Sequence, residues 1–182
     1  MRLPRFLKED QVDLWFEPLV DTPDPWELPS AEDLAASEEE LTEREVFKLK
    51  ERVIQHLCDL LERSGKITNP RKLYTDLRNR EAKASTGIGS QVAMPHVRTA
   101  QAKGFAMAVA RAPEPGLAWS AIDDEPVRLF FAMVAPPYDD KYYLKVERAI
   151  AAAFAEGDDL RDQLLEADDP GEVIRLLSNW ID

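Results

Sequence analysis

Two histidines, one cysteine and seven glycines are few for 182 residues, and each shortage excludes a class of chemistry. The single Cys58 rules out an intramolecular disulfide and any multi-thiolate zinc or iron–sulfur site, and makes a reducing, cytosolic setting the default expectation. With only His56 and His96 as imidazoles, most metal centres are excluded too. The sequence has no GxxxxGK phosphate loop and no GxSxG elbow, and GIGSQV (87–92) has Val92 where a dinucleotide fingerprint needs its third glycine. No apolar run approaches the roughly 18 residues of a membrane span. The start, MRLPRFLKEDQ, lacks the apolar stretch of a signal peptide, so a cytoplasmic chain without membrane insertion is expected.

Positive charge is also in short supply, with 23 basic against 35 acidic side chains and a net charge of -12. Between Asp21 and Glu45 there are ten acids and one base, Arg44, while the other 157 residues hold 22 bases and 25 acids. No lysine or arginine cluster is long enough to track phosphates, so nucleic acid is not an expected partner. The acidic stretch contains Pro23, Pro25 and Pro29 and reads as a solvated insertion at about 21–45, with Trp26 and Leu28 available to anchor it.

What is present suits one domain over 1–182: the chain is 45% hydrophobic, and a chain this long can bury roughly 70% of its unfolded surface. VDLWF (12–16) reads as an edge strand after an N-terminal turn. From Glu45 to Arg63 the apolar residues Val46, Leu49, Val53, Ile54, Leu57, Leu60 and Leu61 follow helical spacing, stopped by Ser64-Gly65. His56 falls on the flank of that helix and reads as solvated, and Cys58 as small core filling. Asn69-Pro70 opens a second helix reaching about Arg78, with Leu73, Tyr74 and Leu77 inward. QVAMP, FAMAVAR and VRLFFAMVA are strands. Three helices follow: one capped by Asp139-Asp140, with Tyr143, Val146, Ile150 and Phe154 on its inner face; one starting at Asp158; and one opening at Asp169-Pro170-Gly171-Glu172, a capping-box pattern. The last buries Val173, Ile174, Leu177 and Trp180. The order predicts a mixed α/β domain with helices covering a sheet.

Chemistry concentrates in REAKASTGIGSQVAMPHVR, from Arg80 to Arg98. Gly87 and Gly89 permit unusual backbone angles, and Ser85, Thr86 and the loop amides could converge on an anion. Pro95 forces Met94 toward extended geometry, so the QVAM strand should deliver His96 at its end. Arg80 and Arg98 bracket the imidazole with permanent charge suited to a phosphate. A tight glycine turn beside a surface histidine fits the same residues.

STGIGSQVAMPHVR (85–98) resembles the signature of the type-2 enzyme IIA domains of the bacterial phosphotransferase system, the fructose, mannitol and nitrogen-regulatory branch. Arg80-Glu81 precedes the turn at the family spacing, VRLFFAMVAPP is similar to its central strand and exit, and the later helices run to the chain end, so only the acidic insertion lies outside the likeness. The resemblance implies a mixed five-stranded sheet flanked by helices on both sides, with the active histidine in a shallow depression. It also implies a phosphoryl carrier that takes its group from an HPr-like protein onto His96 and passes it to a cysteine of an enzyme IIB domain or uses it as a regulatory mark. No metal or organic cofactor is then needed. Arg80 matches the arginine that steadies the phosphate, with Arg98 a second candidate; Ser85, Thr86, Gly87 and Gly89 would support it, and Glu81 would orient Arg80 or cap local backbone. Where the family often carries a second histidine, this chain has Tyr143, a hydrogen-bond donor that cannot relay a proton near neutrality. That departure and the insertion leave open a regulatory protein-binding module, of the nitrogen-regulatory kind, with weak or no phosphotransfer.

Overall fold

The computed structural model describes residues 3–16, 42–138, 141–155 and 157–181. Most of the acidic insertion, including Trp26 and Leu28, and the Asp139-Asp140 cap lie outside them. The first helix, α1 (Glu43–Glu62), starts two residues before the expected Glu45. Thr42 sets that start, its hydroxyl accepting the Glu45 amide at 3.3 Å while the Glu45 carboxylate accepts the Thr42 amide at 2.8 Å. It stops where expected, with Gly65 at φ +70°. α2 (Pro70–Lys83) is capped by the Asn69 side chain, which accepts from Lys72 N at 3.0 Å. It runs five residues past the expected Arg78, because Leu73, Leu77 and Glu81 recur every four residues on one inward face and the last of them is a buried carboxylate. The apolar pattern ends at Leu77; the buried face does not.

Six short strands occupy five positions of a mixed sheet: β1 (Val12–Asp13), β2 (Gly87–Gly89), β3 (Val92–Ala93), β4 (His96–Arg98), β5 (Ala106–Arg111) and β6 (Leu129–Ala135). The order is β1-β5-β6-β3-β2, with β4 also beside β6. β3 and β4 both run parallel to β6, pairing Val92 with Leu129 and His96 with Met133, so they are one strand interrupted at Met94-Pro95. Proline has no amide to give the ladder, but its carbonyl accepts Met133 N at 2.9 Å. His96 therefore opens a resumed strand segment and does not end the QVAM strand as expected.

Alternation along β5 and β6 divides the core into two layers. Met107, Val109, Leu129, Phe131 and Met133 face α3 (Lys141–Ala155), α4 (Asp159–Glu166) and α5 (Pro170–Ile181) through Val146, Ile150, Leu164, Val173 and Leu177. Ala106, Ala108, Ala110, Phe130 and Ala132 face Val53, Leu57, Leu73 and Leu77 of α1 and α2. The run of alanines lets those helices lie close to the sheet. Helices thus cover both sides of the sheet, as expected.

Arg111, at the end of β5, closes α4. Its Nη1 donates to the carbonyls of Leu164, Leu165 and Ala167 at 3.1, 2.8 and 2.8 Å, and its Nε to Leu14 O at 3.2 Å. At α5, Asp169 accepts the Glu172 amide at 3.0 Å, while the Glu172 carboxylate reaches back to the Asp168 amide at 3.3 Å. Two expectations are corrected. Trp180 is exposed, because α5 has already turned its apolar face inward through Val173 and Leu177. His56 is partly covered: its ring stacks on Phe16 at 4.1 Å and its Nε2 lies 3.0 Å from Asp13 Oδ2. Cys58 is buried, and burial pushes its thiol up to about 12.

Candidate functional site

His96 stands where the broken strand resumes, its side chain 18% exposed. Nδ1 lies 2.6 Å from Met94 O. A carbonyl oxygen only accepts, so Nδ1 carries the hydrogen and the neutral ring presents a lone pair at Nε2. That lone pair faces Arg80, whose Nη2 lies 3.3 Å away while Nη1 donates to Ala84 O at 2.9 Å. The extra turns of α2 are what bring Arg80 there. One arm of the guanidinium is tied to its own helix end and the other is held over the imidazole nitrogen.

α3 contributes two more groups. The Tyr143 ring meets the His96 ring edge to face at 6.0 Å between centroids. Tyr143 is 5% exposed, and burial, then the charge of Glu147, push its phenol up to about 12 against the opposing pull of Arg98 and Arg80. It is a neutral hydroxyl at any ordinary pH. Glu147 places Oε1 3.7 Å from His96 Nε2. Sequence reasoning missed this carboxylate, although it stands four residues after Tyr143 and so one turn along the same helix face.

The glycine loop does something other than expected. Ser85 donates its hydroxyl to Trp119 O at 2.9 Å and accepts the Gly87 amide at 3.2 Å. Thr86 gives its hydroxyl to Glu81 at 2.5 Å and its amide to both carboxylate oxygens at 3.2 Å. A Cβ on Gly87 would stand 2.7 Å from Ala121 Cα, so only glycine fits that approach. Gly89, at φ +91°, lies against Ile122 and Asp123. The hydroxyls and the Thr86 and Gly87 amides thus close the loop on itself and do not converge on a shared anion position. Glu81 caps this backbone and pairs with Lys50 at 2.7 Å, the two side chains being 1% and 7% exposed. Arg98, exposed on β4, is near enough for its charge to act on Tyr143. The structure therefore gathers His96, Arg80, Tyr143 and Glu147, with Arg98 at the margin and the serine, threonine and glycines as scaffold. Among the described residues, no three His, Cys, Asp or Glu side chains gather as a metal-binding group, and no helix is long and apolar enough to cross a membrane.

An imidazole beside an anchored guanidinium thus stands on a mixed sheet that helices cover on both sides. Residues 37–180 match the family model for the phosphoenolpyruvate-dependent sugar phosphotransferase system, EIIA 2. The chain belongs to that family. A nitrogen regulatory protein of Pseudomonas aeruginosa is 30% identical over 118 residues, covering 65% of this chain and 75% of that protein. The fructose-specific EIIA component of Haloferax volcanii is 29% identical over 133 residues, covering 73% and 85%. The fructose-specific EIIABC component of Bacillus subtilis is 31% identical over 132 residues, 72% of this chain but 20% of that longer protein. Among solved structures, nitrogen regulatory protein IIA-Ntr from Neisseria meningitidis superposes with a TM-score of 0.71 at 24% identity, over 96% of this chain and 98% of that one, a likeness of fold.

Proposed function

We propose that this protein is a phosphoryl carrier of the phosphotransferase system that works through a phosphohistidine at Nε2 of His96. The carrying observation is the pair of contacts on that ring: Nδ1–H held by Met94 O at 2.6 Å, and Nε2 left as a lone pair 3.3 Å from the Arg80 guanidinium. In the forward step the Nε2 pair attacks phosphorus of the phosphohistidine on an HPr-like donor, the donor's N–P bond breaks, and its ring keeps that pair. Arg80 swings its free arm from Nε2 to the equatorial oxygens while Ala84 O keeps the other arm, which supplies charge neutralisation and positioning, the main needs of phosphoryl transfer. Tyr143 offers a neutral hydroxyl to the same oxygens, and Arg98 adds longer-range attraction. The group then leaves to a cysteine thiolate of an enzyme IIB partner, or stays as a regulatory mark in the cytoplasm. Support for such partnering comes from a solved complex of enzyme IIA mannitol with phosphorylated enzyme IIB mannitol of Escherichia coli, whose fold this chain shares at a TM-score of 0.59 over 71% of its length.

A second reading, a regulatory module with weak transfer, is favoured by Tyr143 standing where a second histidine was expected. One experiment separates them. Incubation with phosphoenolpyruvate, enzyme I and HPr should give one acid-labile phosphoryl group by intact mass, absent in His96→Gln and slower to form in Arg80→Ala. Label that passes on to a IIB cysteine supports transport, and label that stays supports regulation. A wild-type chain that takes none overturns the carrier reading.

A further inference from the structure

Three charged groups bear on the reacting edge of His96, and one has the wrong sign for holding phosphate. Arg80 from α2 faces Nε2 at 3.3 Å, and Arg98 from β4 lies near the adjoining Tyr143. Glu147 from α3 faces the same Nε2 with a carboxylate oxygen at 3.7 Å, its side chain 30% exposed. A carboxylate finds nothing to accept from a nitrogen bearing a lone pair, so this contact contributes no hydrogen bond in the tautomer that Met94 selects.

We infer that Glu147 is a charge that holds the phosphoryl group loosely, raising its transfer potential and making this site a donor in preference to a store. The inference rests on phosphorylation of His96. Attack by Nε2 leaves Nδ1–H on Met94 O, so the product is a ring of charge about +1 carrying a phosphoryl group of about −2. The net gain is one negative charge. The nitrogen that receives it is already 3.7 Å from a carboxylate oxygen, and the phosphoryl oxygens project outward from that nitrogen. Repulsion between them favours departure of the group, while Arg80, tied to Ala84 O, keeps the loaded state accessible. Tyr143 cannot offset the repulsion, since its neutral phenol supplies a dipole and no charge. The site therefore sets the anchored Arg80, with Arg98 farther out, against the Glu147 carboxylate.

The test is an equilibrium. Wild type, Glu147→Gln and Glu147→Asp are each mixed with HPr and phospho-HPr at fixed ratio, and the phosphorylated fraction is read by intact mass at low salt and at about 0.5 M salt. Neutralising a partly exposed charge so near the group should move the equilibrium about tenfold toward phospho-His96 in Glu147→Gln. The shift should shrink at high salt, where screening is short-ranged, and Glu147→Asp should stay near wild type. A purely structural role would not give a salt-dependent equilibrium at unchanged melting temperature. Glu147→Gln within twofold of wild type at both salts, with both chains loaded, overturns the inference and leaves the carrier reading standing. If neither chain accepts label, both fall together.

Discussion

Removing the Glu81 carboxylate should be among the more damaging single changes in this protein. Glu81 is 3% exposed and has three partners: the Lys50 ammonium at 2.7 Å, the Thr86 hydroxyl at 2.5 Å and the Thr86 amide at 3.2 Å. In Glu81→Ala the ammonium stays buried without its counter-ion, retaining the Trp119 ring 5.1 Å away and a long contact to Ser85 at 3.4 Å. Breaking such a pair from one side costs about 3–5 kcal/mol. The two Thr86 donors add about 1 kcal/mol each unless water replaces the carboxylate. The broken pair alone, at about 4 kcal/mol, lowers the melting temperature by about 8–16 °C at about 2–4 °C per kcal/mol for a chain of this size. Urea unfolding reads it, with Lys50→Met and the double variant Lys50→Met/Glu81→Ala completing a cycle. The double variant should be less destabilised than Glu81→Ala, since it leaves no lone buried charge. A loss under about 1 kcal/mol for Glu81→Ala at unchanged m-value refutes the reasoning, and would mean that the loop carrying Ser85 to Gly87 is held by its glycine packing alone.

Tyr143→Phe removes only a hydroxyl from a buried ring, so folding should survive while phosphotransfer in a purified relay changes at least modestly; unchanged kinetics would leave Tyr143 as packing. Asp13 is held below its usual carboxylate value, first by its hydrogen bond with His56 and then by the Trp15 amide, against the opposing effect of burial. A depressed folded-state value gives stability that is present above the ordinary carboxylate range and lost as pH falls through the lower folded value. The gap in urea midpoint between wild type and Asp13→Asn should therefore be open at pH 7 and closed near pH 2, and a pH-independent gap would remove Asp13 from the acid response. Cys58, pushed up to about 12 by burial, has about one thiolate in 10⁴ at pH 8 and no route to solvent. Alkylation should follow the rate of global unfolding, and fast modification of the native chain would contradict the burial.

Legibility varied with how local the determining contact was. The faces of α1 and α2 could be read from apolar spacing and the start of α2 from Asn69, while the start of α1, set by the unread cap Thr42, lay two residues before the expected one. The far end of α2 could not, since what continues the buried face is Glu81, a residue whose inward position depends on Lys50 from another helix. The His96 environment split the same way. Arg80 lies 16 residues upstream, at the end of the preceding helix, and was legible from the motif. Glu147 lies on a separate helix, and only the packing of Val146 and Ile150 on the sheet turns it toward the ring. Ser85 and Thr86 carry donors of the right kind, but sequence does not say where a donor points, and here they point into the scaffold. His56 misled for a related reason: its cover, Phe16, comes from the N-terminal stretch before the helix and not from its own helix.

The planar cation of Arg111 fastens the exit of a late helix to the end of β5 and, through Leu14, to the chain just after β1. Head and tail therefore share this stud in addition to the packing of Leu3 and Leu7 with Val173 and Leu177, and fraying at either should loosen the other. Proteolytic nicking near one terminus ought to expose cleavage sites at its opposite number before the central strands yield.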